Sequence, residues 1–136
     1  MKYNLSAIKD SRGTLTVIES KKHIPFSIKR VFYIYGIQEG QDRGGHAHKK
    51  LHQFVIPVAG SFTLTLDNGT EKSEYLLNNP AIGVHIHPMV WGELSNFSPD
   101  AVCMVLASDY YDESDYYRNY EDFLDAIVCG RRKRKC

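Results

Sequence analysis

The chain is a succession of short apolar or alternating segments, each separated from the next by turn residues. Strings such as Asp67-Asn68-Gly69 and Asn78-Asn79-Pro80 are strong turn signals. Short segments at this close spacing are typical of antiparallel sandwiches and barrels. The sequence therefore predicts an all-β fold, with strands over residues 14–20, 28–35, 51–58, 61–66, 71–77, 81–87 and 101–108.

One helix is predicted, at the C-terminal end of the chain. Its apolar positions recur at helical spacing and share one face: Tyr117, Tyr120, Leu124 and Ile127. Ser114 or Asp115 is a suitable N-cap for such a helix. We expect the apolar face to pack against the sheet rather than to bind a cofactor.

Length and charge limit the classes of protein to consider. A chain of 136 residues supports one core, so we assign residues 1–130 to a single domain and the Lys/Arg-rich residues 131–136 to a solvated basic tail. A formal net charge of +1 argues against nucleic-acid binding. The sequence has no apolar run of membrane-spanning length, no signal-peptide pattern and an odd number of cysteines. A cytoplasmic protein without a membrane partner is predicted.

The stretch 40–48 contains the residues best suited to chemistry. Residues two apart in a strand face the same side, so His46 and His48 are predicted to project side by side. Two glycines precede them and permit a sharp bend or a close approach to a ligand. Arg43 offers a planar charged fork for phosphate or carboxylate. A solvated histidine pair is the alternative, but the shared face favours a role in acid–base chemistry or binding.

The spacing of this region resembles the first signature motif of the cupin superfamily, on Gly40, His46, His48, Gln53 and Gly60. The resemblance implies a cupin-type jelly-roll barrel. Many cupins bind a metal through two such histidines, a following Glu and a His from a second motif. Here Gln53 stands in place of the Glu, and Gly92-Glu93 stands where the second-motif histidine is expected. With those ligands missing, we expect no metal in the barrel.

Four longer strings resemble a narrower family: Asp10-Ser11-Arg12-Gly13, Ile24-Pro25-Phe26-Ser27-Ile28-Lys29-Arg30-Val31, Arg43-Gly44-Gly45-His46-Ala47-His48-Lys49-Lys50 and Leu106-Ala107-Ser108-Asp109-Tyr110-Tyr111-Asp112-Glu113. They are similar to the dTDP-4-keto-6-deoxyglucose 3,4-ketoisomerases, WxcM-like sugar isomerases of the cupin superfamily. The resemblance implies a homodimeric enzyme that needs no cofactor and binds a dTDP-linked keto-sugar. It also implies a 3-keto product that is used to make 3-amino-3,6-dideoxyhexoses for surface glycans.

The same resemblance implies roles for individual residues. His46 and His48 match the family's active-site pair, and by analogy His48 removes the C3 proton while His46 donates or shuttles a proton. Arg43 matches an arginine near the bound nucleotide-sugar, and Arg12 stands where galacto-forming members often have arginine. The chain departs from the family in the string His85-Ile86-His87-Pro88, where Tyr-x-Gly-Pro is common, and at Gly92, where a larger polar residue often follows the Trp.

Other residues are predicted to bind the substrate on the strength of their chemistry. Arg12, Arg30 and Arg43 can neutralise a diphosphate. Tyr33, Tyr35 and Trp91 can stack on thymine or pack against the sugar, with core packing as the alternative. Because Tyr33 and Tyr35 share a strand face, we expect them to be buried or exposed together.

His85 and His87 also share a strand face. If that face is inward, they would converge with His46 and His48 on a metal site. We prefer the alternative, that they are polar lining or surface residues, because no carboxylate supports such a site. His52 and His23 have no partner evident in the sequence and are expected to be ordinary.

Three further functions fit the same residues. They are a metal-dependent cupin enzyme, a 3,5-epimerase of the same sugar and a sugar-binding cupin without activity.

Overall fold

The computed structural model describes residues 1–132. It contains twelve strands, one short 3-10 helix over Glu113–Asp115 and one α-helix: β1 Lys2–Asn4, β2 Ile8–Asp10, β3 Gly13–Leu15, β4 Arg30–Ile34, β5 Arg43–His48, β6 Gln53–Ala59, β7 Phe62–Asp67, β8 Lys72–Leu77, β9 Ile82–Ile86, β10 Trp91–Ser95, β11 Val102–Ala107, β12 Tyr116–Tyr117 and α1 Tyr120–Arg132. The all-β fold with one C-terminal helix is confirmed.

Two five-stranded sheets form the barrel. Their strand orders are β1-β9-β6-β11-β4 and β12-β5-β10-β7-β8, and every named pairing is antiparallel. Alternate residues of each strand point between the sheets, which explains the alternating sequence pattern. The resulting core includes Val55, Phe62, Leu64, Val84 and Val105.

The segment between β3 and β4 covers the outer face of the first sheet. Ile24 and Phe26 pack against Phe54, Ile56 and Leu106, which point away from the barrel interior. The predicted strand over residues 14–20 ends at Leu15, and of the residues beyond it Ile18 packs against the cluster that covers the sheet. β2 and β3 form a separate two-stranded hairpin.

Helix α1 covers the outer face of the second sheet. Phe123 is fully buried against Trp91 and Ala47, with Leu124 and Ile127 packed around them. The burial of this face explains the apolar helical spacing of the sequence.

The predicted N-caps of α1 were wrong. The helix begins at Tyr120, and the Asn119 side chain accepts a hydrogen bond from the Asp122 backbone N–H at 3.1 Å. Ser114 and Asp115 belong instead to the 3-10 turn, which Asp112 caps. Two residues of the predicted tail continue α1, and residues 133–136 lie outside the described part of the chain. No helix within residues 1–132 has the length and apolar character required to cross a bilayer.

Candidate active site

β5 carries His46 and His48 on one face, as their spacing predicted. The two imidazole rings meet edge to face, with centroids 5.1 Å apart. β5 lies between β10 and β12, and His46 is the register partner of Gly92. Gly44 has φ +89°, and a Cβ on it would lie 3.0 Å from the Gly92 carbonyl oxygen. Glycine at this position therefore allows β5 to approach β10 closely.

His46 lines a cavity of about 240 Å³ inside the barrel. The polar side chains beside it in this cavity are Arg43, Gln53, Tyr116 and Arg118. Burial, followed by repulsion from His48 and Arg118, lowers the pKa of His46 to about 4. At neutral pH the cavity therefore contains a neutral imidazole, which can accept or donate a proton.

His48 is held by a carboxylate, on a residue that the sequence indicated only as a possible helix cap. Its Nδ1 lies 3.1 Å from Oδ2 of Asp115, and it is only 4% exposed. A carboxylate only accepts hydrogen bonds, so Nδ1 carries the proton and Nε2 carries the lone pair. Nε2 is buried and has no protein partner. This arrangement presents a base and provides an acceptor for the positive charge that proton uptake creates.

Asp115 is itself fixed by the backbone. Its carboxylate accepts hydrogen bonds from the N–H groups of Lys50, at 3.0 Å, and Leu51, at 3.3 Å. The pKa of His48 lies below its ordinary value because burial outweighs the opposing effect of Asp115. The imidazole is therefore neutral at neutral pH and retains the charge partner that a general base needs.

His48 lines a second cavity of about 230 Å³, beside Arg30 and Lys50. The Tyr116 ring borders both cavities, with its centroid 5.1 Å from that of His46 and 4.2 Å from that of His48. Arg30 Nε is buried without a hydrogen-bond partner. This cavity therefore offers two cations and a free donor beside the carboxylates of Asp109, Asp112 and Asp115.

Arg118 packs over the Tyr116 ring and lines the cavity that contains His46. Its guanidinium carbon is 4.1 Å from the Tyr116 ring centroid, and its Nε and one terminal nitrogen bind the Glu113 carboxylate at 2.5 and 2.9 Å. Hydrogen bonds from Arg118 and Tyr111 lower the pKa of Glu113 to about 2. The pair orients a permanent positive charge toward the cavity that contains His46.

Of the predicted binding residues, Arg43 and Arg30 lie beside these cavities, whereas the others lie elsewhere. Arg12 is at the tip of the β2–β3 hairpin, 88% exposed at its side chain, and is paired with Asp10 at 2.7 Å. Tyr33 and Tyr35 are 61% and 68% exposed and stack on each other, on the side of β4 opposite the cavity-lining Phe32.

Trp91 is a packing residue, which was the alternative to substrate binding in the sequence analysis. It is 7% exposed beneath α1, contacts Phe123 and donates its indole N–H to Glu93 at 3.1 Å. Because it is on the outer face of the second sheet, it does not line the barrel cavity. Arg12, Tyr33, Tyr35 and Trp91 therefore line neither of the two cavities, and their binding of substrate stays a prediction.

The residues that sequence reasoning missed come from one segment. Asp115, Tyr116 and Arg118 reach the histidines because β12 pairs with β5, setting Tyr116 opposite His48. A two-residue strand leaves no periodic signal, and only the acidic and aromatic richness of residues 109–118 marks the segment in sequence.

The positions where cupins bind metal have other chemistry here. Gln53 and Gly92 line the cavity beside His46, and Glu93 points outward to Trp91. Ile86 lines the cavity, so His85 and His87 on either side of it face away from the barrel interior. They therefore do not converge with His46 and His48. His52 was expected to be ordinary, yet it lies beside His85 and His87.

Comparison with known proteins places this geometry in a family. Residues 2–128 match the family model described as FdtA, WxcM-like, C-terminal. Over 125 residues the chain is 52% identical to the TDP-4-oxo-6-deoxy-alpha-D-glucose-3,4-oxoisomerase of Aneurinibacillus thermoaerophilus, a match that covers 92% of this chain and 90% of that protein.

Solved structures agree with the sequence match. QdtA, a sugar 3,4-ketoisomerase from Thermoanaerobacterium thermosaccharolyticum solved in complex with TDP, is 44% identical with a TM-score of 0.92, over 94% of this chain and 93% of that one. A His-to-Asn variant of QdtA has been solved with TDP-4-keto-6-deoxyglucose. WlaRB, a TDP-quinovose 3,4-ketoisomerase from Campylobacter jejuni, is 45% identical with a TM-score of 0.88, over 92% of this chain and 96% of that one.

Proposed function

The chain belongs to the FdtA family of WxcM-like sugar 3,4-ketoisomerases, and on that premise we propose that it converts dTDP-4-keto-6-deoxy-D-glucose into a dTDP-3-keto-6-deoxyhexose. It is an isomerase of the TDP-sugar 3,4-ketoisomerase class.

The observation that carries the mechanism is the pair of neutral imidazoles on one strand, one of them bonded to a carboxylate. His48 has a free, buried Nε2 and an Asp115 partner on Nδ1. His46 has a ring centroid 5.1 Å away and lines the barrel cavity. Two adjacent groups that can each take and return a proton meet the requirement for moving a ketone between neighbouring carbons.

The proposed reaction proceeds through an enediolate. The C4 ketone acidifies the hydrogen on C3, and His48 Nε2 removes it, leaving the C–H electron pair shared over C3, C4 and the C4 oxygen. Asp115 stabilises the imidazolium that forms. The C3 hydroxyl proton moves to the C4 oxygen through His46, and the His48 imidazolium returns a proton to C4, which leaves both histidines neutral again. The product has its ketone at C3 and a hydroxyl at C4, with no net change in atoms or electrons.

Cations around the histidines are proposed to hold the diphosphate and the developing oxyanion. Arg30 and Lys50 border the His48 cavity, and Arg43 and Arg118 border the His46 cavity. A fixed positive charge near an enediolate oxygen stabilises it more in a water-poor cavity than in solution.

The histidine roles are tested by His48→Asn and His46→Asn, with His23→Asn as the matched control outside the site. We expect turnover to fall by about two to four orders of magnitude in His48→Asn, the usual share of a general base. In deuterated water, His48→Asn should not exchange the C3 hydrogen, whereas His46→Asn should still exchange it while failing to complete the reaction. If both variants retain near-normal turnover, the proposed mechanism is wrong.

The finer identity of the product is proposed on resemblance. Arg12 matches a position where galacto-forming relatives often have arginine, which supports a galacto configuration at C4. A 3-keto sugar of this kind is a substrate for an aminotransferase, which supports a place in the synthesis of 3-amino-3,6-dideoxyhexoses for surface glycans. The coupling between H4 and H5 in the product's NMR spectrum distinguishes galacto from gluco.

A homodimer is also proposed. β4 is an edge strand of the first sheet, and it exposes Val31 and Tyr33 on its outer face. The β2–β3 hairpin exposes Ile8 and Leu15. Exposed apolar side chains on an open edge and on a projecting hairpin favour pairing with a second copy.

A further inference from the structure

Three histidines meet on the outer face of the first sheet, away from the catalytic pair. His85 and His87 lie at the end of β9, and His52 immediately precedes β6, the strand paired with β9. One ring nitrogen of each lies within 4.8 Å of the others, and His52 Nδ1 is 3.0 Å from His85 Nε2. This is the one group of three potential metal ligands formed within residues 1–132.

The histidine trio is separate from the barrel interior. Ile86, between its two β9 members, lines the cavity that contains His46. His85 and His52 instead contact Phe26 of the covering segment, at ring-centroid distances of 5.7 and 5.9 Å. A ligand at the trio would therefore not occupy the sugar site.

The protein does not satisfy the hydrogen-bonding capacity of the trio. His85 is 3% exposed, yet its Nδ1 is buried and has no partner. Its Nε2 and His52 Nδ1 face each other, so a single proton is shared between two nitrogens that can both coordinate a cation. A cation between the two facing nitrogens would displace the proton that they share.

We propose that His52, His85 and His87 bind one divalent transition-metal cation of the class that prefers imidazole, of which Zn²⁺ is the reference. Nitrogens about 2.0–2.1 Å from a tetrahedral Zn²⁺ are about 3.3 Å apart, so the trio needs only small side-chain rotations. His87 is exposed, which leaves the fourth position open to water or an external ligand. Bound there, the cation ties the end of β9 to the segment that leads into β6.

The test uses untagged, full-length protein that has been stripped with a chelator and titrated with Zn²⁺ by calorimetry. We expect one ion per chain and a higher melting temperature on saturation. His87→Ala should weaken binding by more than about tenfold, since even the loss of a second-shell partner costs that much. Because His87 is exposed, this variant keeps the core intact, and circular dichroism checks that it folds.

Two controls separate the histidine trio from other sites. His23→Asn changes the one histidine that belongs to neither histidine group, and His46→Asn changes the barrel; both should bind Zn²⁺ as the wild type does. Absence of binding by the wild type overturns the proposal. So does unchanged binding by folded His87→Ala, or loss of binding in His46→Asn, which would place the ion in the barrel.

Discussion

Replacing Asp115 by Asn isolates the contribution of the carboxylate to the proposed base. The substitution keeps the shape of the side chain and one carbonyl oxygen for the Lys50 or Leu51 N–H, but removes the charge opposite His48 Nδ1. Both partners are largely buried, with side chains 5% and 17% exposed, so solvent screens the pair weakly.

The expected loss follows from the strength of a hydrogen bond to a charged group. Such a hydrogen bond contributes a net free energy of about 1.5–3 kcal/mol. Its loss corresponds to a roughly 10- to 150-fold lower rate, because each 1.36 kcal/mol is a factor of ten. The contact is strongest once His48 is protonated, so the loss should fall on kcat, with KM little changed. Steady-state kinetics with dTDP-4-keto-6-deoxyglucose measures both constants.

The pH profile separates an electrostatic role from a structural one. Asp115 raises the pKa of His48 against the lowering effect of burial. Asp115→Asn should therefore lower that pKa further, moving the acid limb of kcat/KM to lower pH while the plateau falls. Asp125→Asn, on the exposed side of α1, is the matched control and should change neither. An Asp115→Asn enzyme with a wild-type plateau, or with an unmoved acid limb, would refute the reasoning.

Three further outcomes are expected. Light scattering should give a mass near twice 15.6 kDa, and a monomer at micromolar concentration would contradict the dimer proposal. Turnover should survive exhaustive dialysis against chelator, whereas a loss restored by one divalent metal would favour a metal-dependent cupin. The melting temperature should fall as the pH drops from about 6.5 toward 4. In this range His46 and His85 take up protons in the unfolded chain, whereas in the folded chain their lowered pKa delays proton uptake to about pH 4. A flat melting temperature over that range would show that these histidines are not buried as neutral rings.

The strands predicted from sequence are those with enough alternating residues to show a period. β7 alternates cleanly, and the structure places Phe62, Leu64 and Leu66 on its inner side. β1 and β12 have three and two residues, too few for a period, and long-range pairing with β9 and β5 determines them. Within residues 16–20, Ile18 packs on the outer face of the first sheet, and such a contact needs an apolar side chain just as a strand does.

The candidate site was predictable as far as it lies within one strand. The spacing of His46 and His48 fixed their common face, whereas Asp115 is 67 residues from His48 and enters only through the pairing of β12 with β5. Trp91 was not predictable in the same way. It is next to the cavity-lining Gly92 in sequence, but its side chain points to the outer face of the sheet and packs under α1. His52, His85 and His87 likewise meet only because β6 and β9 are neighbours.

The most direct test of the proposed function is product identification by NMR after incubating the purified protein with dTDP-4-keto-6-deoxyglucose in deuterated water. We predict conversion to a dTDP-3-keto-6-deoxyhexose with deuterium at C4, because the proton returned there comes from a histidine that exchanges with solvent. An unchanged substrate would contradict the catalytic account. A 4-keto sugar inverted or deuterated at C5 would instead identify an epimerase.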